Sequence, residues 1–517
     1  MSQDGNNYYI TTPIYYVNDV PHIGHAYTTL ACDVLARFKR LDGYNVRFLT
    51  GTDEHGQKVQ NSAEAAGVDP QTFCDQVSGR FRALADTMNY SIDDFIRTTE
   101  DRHKLACQDL WTRLLERDQI YLGSYEGWYS VRDETFYTET EIVRGENGEN
   151  LAPTGAPVEW VEEPSYFFRL SNWQEPLLKF YQDNPEFVLP KTRMNEVTSF
   201  VSGGLRDLSV SRTSFTWGVE VPDAPGHIMY VWIDALTNYM TAVGYPDQEA
   251  ADYTAFWPVV KHMVGKDILR HHAVYWPAFL MAADLLPPKR VFAHGWWTNE
   301  GQKISKSLGN VIDPFKLVED FGLDPVRYFL MREVPFGNDG DFKRESLINR
   351  INGDLANDLG NLAQRTLSMI AKNCDGKVPS KDAQNDDDRA FLASIPEQMD
   401  EFRGFIDQEA IHKFLEAVWQ KIGEANGYIS TEEPWKLKKT DPARMEAVLY
   451  TTAEAVRRIA ILVQPIMPDA MVSMLDLLAI GADARSFANI GDDAALVPGT
   501  ALPAPQGIFP RFVDTEA

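Results

Sequence analysis

Residues 21–27 read PHIGHAY and set two imidazoles, His22 and His25, three positions apart around Gly24. Histidines so spaced suit three chemistries: a metal pair, a packed core pair, or two donors to phosphoryl oxygens. A glycine lets the backbone come close to a ligand. A strand-to-helix turn also aims unpaired N–H groups and the positive helix end at an anion. Two imidazole N–H groups add short, stiff donors, so phosphate is the natural reading. A zinc site would want a third ligand and usually the HExxH order. Neither is evident, although His55 keeps that reading open.

A second basic motif stands far along the chain. In NEGQKISKSLGN, residues 299–310, Lys303 and Lys306 lie three apart on a Gly- and Ser-rich loop. Such a loop can close over a polyphosphate and neutralise charge building on a leaving pyrophosphate. By itself it would more readily read as a solvated lysine loop. A third pattern is apolar: Trp232, Ala235, Leu236 and Tyr239 recur at helical spacing in YVWIDALTNYM, with Ile268 and His272 nearby and TPIYY at residues 12–16. Together they suit a slot with two polar tips for an unbranched, polarizable side chain, or an ordinary core stripe. Near the other end, Asn361 and Arg365 share a helix face, and Trp435 sits between Pro434 and KLKK. An aromatic ring beside lysines is a stacking platform for an unpaired base, and Trp435 would otherwise mark a helix start.

The elements that must position these groups follow from periodicity. Residues 7–17, NYYITTPIYYV, read as a buried strand; Leu30, Val34, Leu35, Phe38 and Leu41 mark a helix from His25; and DGYNVRFLTGTD gives a turn and a second strand. This βαβ unit opens an α/β domain with a parallel sheet. HIMYVWIDA, VVKHMVGKD and RVFAHGWW read as further strands, with a helix in ILRHHAVYWPAFLMAADLL. Residues 116–196 are aromatic, Gly-rich and Pro-rich, and read as a subdomain inserted between a first half (1–115) and a second half (197–342) of the α/β domain. Amphipathic helices fill 343–517.

With 517 residues, 44% apolar and 24% charged, the chain has the balance of a folded globular protein. No run of eighteen apolar residues and no signal-like N-terminus is present, so a cytoplasmic protein is expected. Cys32, Cys74, Cys107 and Cys374 form no close pair and read as free thiols. The net charge of −26 argues against nucleic acid on average. A local basic patch acts within a Debye length of roughly 8 Å and escapes that average.

HIGH after the first strand and KISKS after the last resemble the class I aminoacyl-tRNA synthetases. TTPIYYVNDVPHIGHAY, FLTGTDEHGQK, YVWIDALTNYM, VGKDILRHH, KISKSLGNVIDP, GDLANDLGNLAQR and EEPWKL are similar to the methionyl family over nearly the whole chain. The resemblance implies a Rossmann-like catalytic domain and an all-α anticodon-binding domain. It implies ATP with Mg²⁺, methionine, and initiator and elongator tRNA(Met) as reactants, with no membrane partner, in a monomer. Nucleotide contacts are then expected from Asn18, His22, Gly24, His25, Gly265, Asp267, Lys303, Ser305 and Lys306. Methionine contacts are expected from Ile14, Tyr15, Trp232, Ala235, Leu236, Tyr239, Ile268 and His272, with Asp53 on the ammonium group and Arg212 pairing with Asp53. Asn361, Arg365 and Trp435 would read the anticodon. Many family members carry zinc-binding cysteine quartets in the inserted subdomain, whereas 116–196 has no cysteine, so no structural zinc and no metal ligand is expected. The C-terminal dimerisation module of longer members is likewise expected to be absent.

Overall fold

Proline cannot donate to a sheet ladder, and Pro13 breaks the expected first strand in two. In the computed structural model, which describes residues 6–17, 20–133, 135–145, 148–304 and 309–513, β1 is Asn7–Thr11 and β2 is Tyr15–Tyr16. Helix α1 spans Ile23–Leu41, and β3 spans Asn45–Asp53. β1 and β3 pair in parallel, Asn7 with Asn45 through Thr11 with Leu49, as the βαβ reading requires. α2 (Gln57–Ala66), β4 (Asp94–Arg97) and α3 (Asp101–Glu116) follow.

The rest of the main sheet comes from β5 (Val188–Leu189), β6 (Val260–Gly265) and β7 (Arg290–His294). The order is β5-β7-β6-β1-β3-β2, with β4 also on β3, and all pairs are parallel. The chain leaves β1 toward β3 on one side, and its second half returns as β6 on the other. The switch in strand order therefore falls between β1 and β6, the place where open α/β sheets bind ligands at their C-terminal edge.

A second, antiparallel sheet of Leu208–Ser209, Glu159–Phe168, Ile120–Ser130 and Thr135–Tyr137 forms the inserted part. Its boundary is less simple than one cut at 196. β5 lies inside 116–196 yet belongs to the main sheet, and Leu208–Ser209 lies beyond 196 yet belongs to the inserted one. HIMYVWIDA also differs from its strand reading. Only Ile228–Met229 is extended, and α4 spans Val231–Thr241. That helix is buried on nearly every face, and an apolar run buried all round has the composition of a buried strand.

After the short strand Gly340–Phe342 the regular elements among the described residues are helices, with loops between them and an isolated bridge of Lys377 with Ala501. Continuous turns from Arg344 lead into α5 (Asn361–Asn373). α6 (Ile411–Glu432), α7 (Pro434–Thr440) and α8 (Pro442–Val463) follow, with α8 at the centre of the bundle, buried along almost its whole length. The bundle is tied to the α/β domain by ions: Lys261 of β6 reaches Glu409 at 2.7 Å, and Lys39 of α1 reaches Asp407 at 2.7 Å. Arg327, fully buried, binds Asp33 of α1 at 2.7 Å and donates to the carbonyls of Met88, Pro465 and Ile466.

Candidate active site

At the start of α1, His22 is the N-cap. Its Nδ1 accepts from the Gly24 amide at 3.1 Å, and His25 Nδ1 accepts from the His22 amide at 3.1 Å. An imidazole nitrogen that accepts carries no proton, so both rings are Nε2–H tautomers. Burial, aided by the neighbouring His22, pushes the His25 pKa well below its ordinary value. The rings lie 3.8 Å apart, and a Cβ at position 24 would stand 2.9 Å from His22 Cε1. Gly24 is thus what lets the two rings fold together over the turn.

His22 and Gly24 line a cleft of about 290 Å³ with Tyr27, His294, Trp296 and Lys303. Lys303 sits 5.8 Å from the Trp296 ring. The indole N–H of Trp296 donates to Asp267 at 3.0 Å, and Asp267 follows Gly265 at the end of β6. A Cβ on Gly265 would meet Asp267 Oδ1 at 2.5 Å. Two expected nucleotide contacts, Ser305 and the second lysine Lys306, lie outside the described residues, as does Asn18. His294 and Trp296 escaped the sequence reading because a lone histidine and a tryptophan after a strand carry no spacing signal.

A second cavity, about 280 Å³, gathers Ile14, Asp53, Trp232, Ala235, Leu236, Tyr239, Ile268 and His272, as the slot reading expects. Its lining residues come from the segments that follow β1 and β6, from β2 and the C-terminal end of β3, and from α2 and α4. The two polar tips are fixed. His272 Nδ1 lies 3.0 Å from the Ile268 carbonyl, so it carries the proton, and Nε2 accepts from the Tyr239 hydroxyl at 2.7 Å. Burial pushes His272 down to about 4, so the ring is neutral at physiological pH. Trp232 is stacked on His271 at 3.5 Å.

Tyr15, expected at the slot, is not among its lining residues. Neighbouring strand residues face opposite ways, and in β2 it is Tyr16 that lines the slot. Tyr15 turns back onto α1, where its hydroxyl meets Thr29 Oγ1 at 2.6 Å and its ring packs on His25 and Phe81. Lys58 also lines the slot and was not foreseen; its ammonium lies 5.4 Å from the Tyr16 ring. Arg212 is buried and holds Ser209 Oγ at 2.7 Å, with Glu163 at 3.9 Å; it is not among the slot-lining residues.

Metal-capable side chains meet elsewhere. Among the described residues His103, Cys107 and Asp234 bring ligand atoms within 4.8 Å of one another. His103 Nε2 and Asp234 Oδ1 are already at hydrogen-bond distance, 2.8 Å, and burial beside Asp234 pushes the Cys107 thiol well up. The set is satisfied as a hydrogen-bonded network around a neutral thiol.

In the bundle, Trp435 on α7 is 46% exposed. Arg365 on α5 donates to Asn426 of α6 at 3.2 Å, and α6 runs on to Glu433, where α7 begins. Asn361, at the first position of α5, is exposed.

Comparison with known proteins bears on both halves. A family model described as tRNA synthetases class I (M) matches residues 8–367, and one described as the anticodon binding domain of methionyl tRNA ligase matches 378–517. The chain is 55% identical over 507 residues to a methionine–tRNA ligase of Mesorhizobium japonicum, covering 98% of each. It is 56% identical over 511 residues to one of Rickettsia felis, covering 98% of this chain and 99% of that one. It superposes with a TM-score of 0.95 and 53% identity on Mycobacterium tuberculosis methionyl-tRNA synthetase in complex with methionyl-adenylate, over 98% of this chain and 100% of that one.

Proposed function

The chain belongs to the class I methionyl-tRNA synthetases and is a methionine–tRNA ligase, and from this we propose how its two cavities divide the work. Methionine lies in the slot with its thioether toward Tyr239 and His272 and its ammonium on Asp53. ATP, entering as its Mg²⁺ complex, lies in the cleft against His22, Gly24, His25, Gly265, Asp267 and the KISKS loop. The methionine carboxylate attacks the α-phosphorus in line, and pyrophosphate leaves. The Nε2–H groups of His22 and His25 donate to the phosphoryl oxygens, and Lys306 stabilises the charge gathering on the leaving group. The terminal ribose hydroxyl of initiator or elongator tRNA(Met), which Asn361, Arg365 and Trp435 select at the anticodon, then attacks the adenylate carbonyl, forming the ester and displacing AMP. One observation carries the reading: the apolar slot and the histidine-capped cleft both open at the C-terminal edge of one parallel sheet, at its switch point.

The chain works without structural zinc. Its inserted sheet has no cysteine, and at its tip Arg132 donates to the Thr154 carbonyl at 2.9 Å while Trp128 packs edge-on against Trp160. No described helix is long and apolar enough to cross a membrane. A monomer in the cytoplasm, where tRNA is charged, completes the proposal. Lys306→Ala tests the division of labour. It should lower methionine-dependent pyrophosphate exchange by roughly 10² to 10³, the cost of one preorganised donor. Equilibrium methionine binding should stay unchanged. Wild-type exchange in this variant would remove Lys306 from the pyrophosphate side.

A further inference from the structure

α4 forms one wall of the methionine slot, and between Trp232 and Ala235 on it stands Asp234, fully buried and absent from the slot lining. Its carboxylate is turned behind that wall, where Oδ2 meets His55 Nδ1 at 2.7 Å and Oδ1 meets His103 Nε2 at 2.8 Å. Burial works to raise this carboxyl, but His55 and His103 outweigh it and hold it well below the usual range. With both oxygens engaged, Asp234 cannot rotate away from His55.

His55 stands two residues after Asp53, in the segment where the chain leaves β3. That segment is held on its other side through Glu54, which takes Arg97 Nε at 2.6 Å and Thr52 Oγ1 at 2.8 Å. Gly56 turns it into α2 at φ 110°, with its amide on the Trp217 carbonyl at 3.0 Å. The His55–Asp234 bond therefore joins the strand end bearing the ammonium anchor directly to the helix bearing the side-chain wall.

We propose that His55 is a positioning residue that, through Asp234, sets the place of the methionine ammonium group relative to the slot. The inference rests on the reading of Asp53 as the ammonium partner. His55 touches no reactant, and its effect is confined to ligands that carry an amine.

The test measures equilibrium binding of three ligands: methionine, L-methioninol, which keeps the ammonium and lacks the carboxylate, and 4-(methylthio)butanoate, which lacks the ammonium. His55→Gln carries its donor one carbon too far out, whereas His55→Asn places an amide N–H near the position of imidazole Nδ1. His55→Gln should weaken methionine and methioninol by about ten- to a hundredfold, the range for a hydrogen bond to a charged group. Binding of 4-(methylthio)butanoate and the KM for ATP should stay within about threefold. His55→Asn should restore methionine binding to within about threefold of wild type. Equal weakening of all three ligands would mean a packing role and overturn the proposal, as would His55→Gln binding methionine like the wild type. If His55→Gln does not fold, Asp234→Asn is expected to give its pattern, and equal losses there overturn the proposal too. Should the wild type itself bind 4-(methylthio)butanoate as tightly as methionine, the Asp53 reading fails first and takes the strut with it.

Discussion

Gly24 stands against the His22 ring with little room for a side chain. Gly24→Ala places a methyl 2.9 Å from His22 Cε1. The His22 ring must swing out, so pyrophosphate exchange should fall at least tenfold with the melting temperature little changed. Exchange at the wild-type rate would show that the stacked rings are not needed. His272 carries a pH signature. Its pKa falls from about 6.5 in the unfolded chain to about 4 in the fold, so between those values the unfolded chain binds more protons. Stability contributed by this group is full above pH 6.5 and is lost as pH falls toward 4, by roughly 3 kcal/mol. His272→Gln should accordingly show a shallower loss of melting temperature between pH 7 and 4 than the wild type. Neutral Tyr239 and His272 also read sulfur weakly, by about 0.3–1.5 kcal/mol, so norleucine should be a detectable substrate. Most slot residues were legible because a helical stripe and the family motifs name them. Tyr15 and Tyr16 were not separable, since adjacent strand residues differ only in the face they take. Lys58, His294 and Trp296 enter from segments whose meeting only the sheet topology decides.

Among elements, the βαβ opening and the long helices were legible because each keeps one period over many residues. α4 was not, since burial on nearly all sides erases the alternation that separates helix from strand. β5 shows the opposite difficulty. Two residues, Val188–Leu189, cannot be recognised as a strand of the main sheet until β7 is there to pair with them. α7 owes its place to Pro434 at its first turn, and it offers the exposed ring of Trp435 beside Lys438 and Lys439 in its last turn. If that ring stacks on an anticodon base, Trp435→Ala should cost about 1 to 3 kcal/mol in tRNA recognition, roughly a five- to 150-fold loss in charging efficiency. Exchange, which needs no tRNA, should not change. Loss of exchange and melting temperature together would instead make Trp435 a packing residue.

The whole molecule is joined through buried charge. Arg327 ties α1, which begins at His22, to the end of α8, in the middle of the bundle. Arg327→Ala would leave Asp33 buried beside Arg37 and Ser91 with its strongest partner gone, and should cost about 3 to 5 kcal/mol by chemical denaturation. The domain order was legible in the change from strand to helix composition near residue 342. The junction was not, because a buried arginine looks in sequence like any surface one. Both cavities and the order of the domains converge on one claim, that of the twenty standard amino acids this chain activates methionine. The most direct measurement is exchange of labelled pyrophosphate into ATP with each of the twenty amino acids in turn. Methionine should support rapid exchange, and the branched valine and isoleucine should support none, because the slot fits an unbranched chain. Equal or faster exchange with any other amino acid, or none with methionine, would contradict the account.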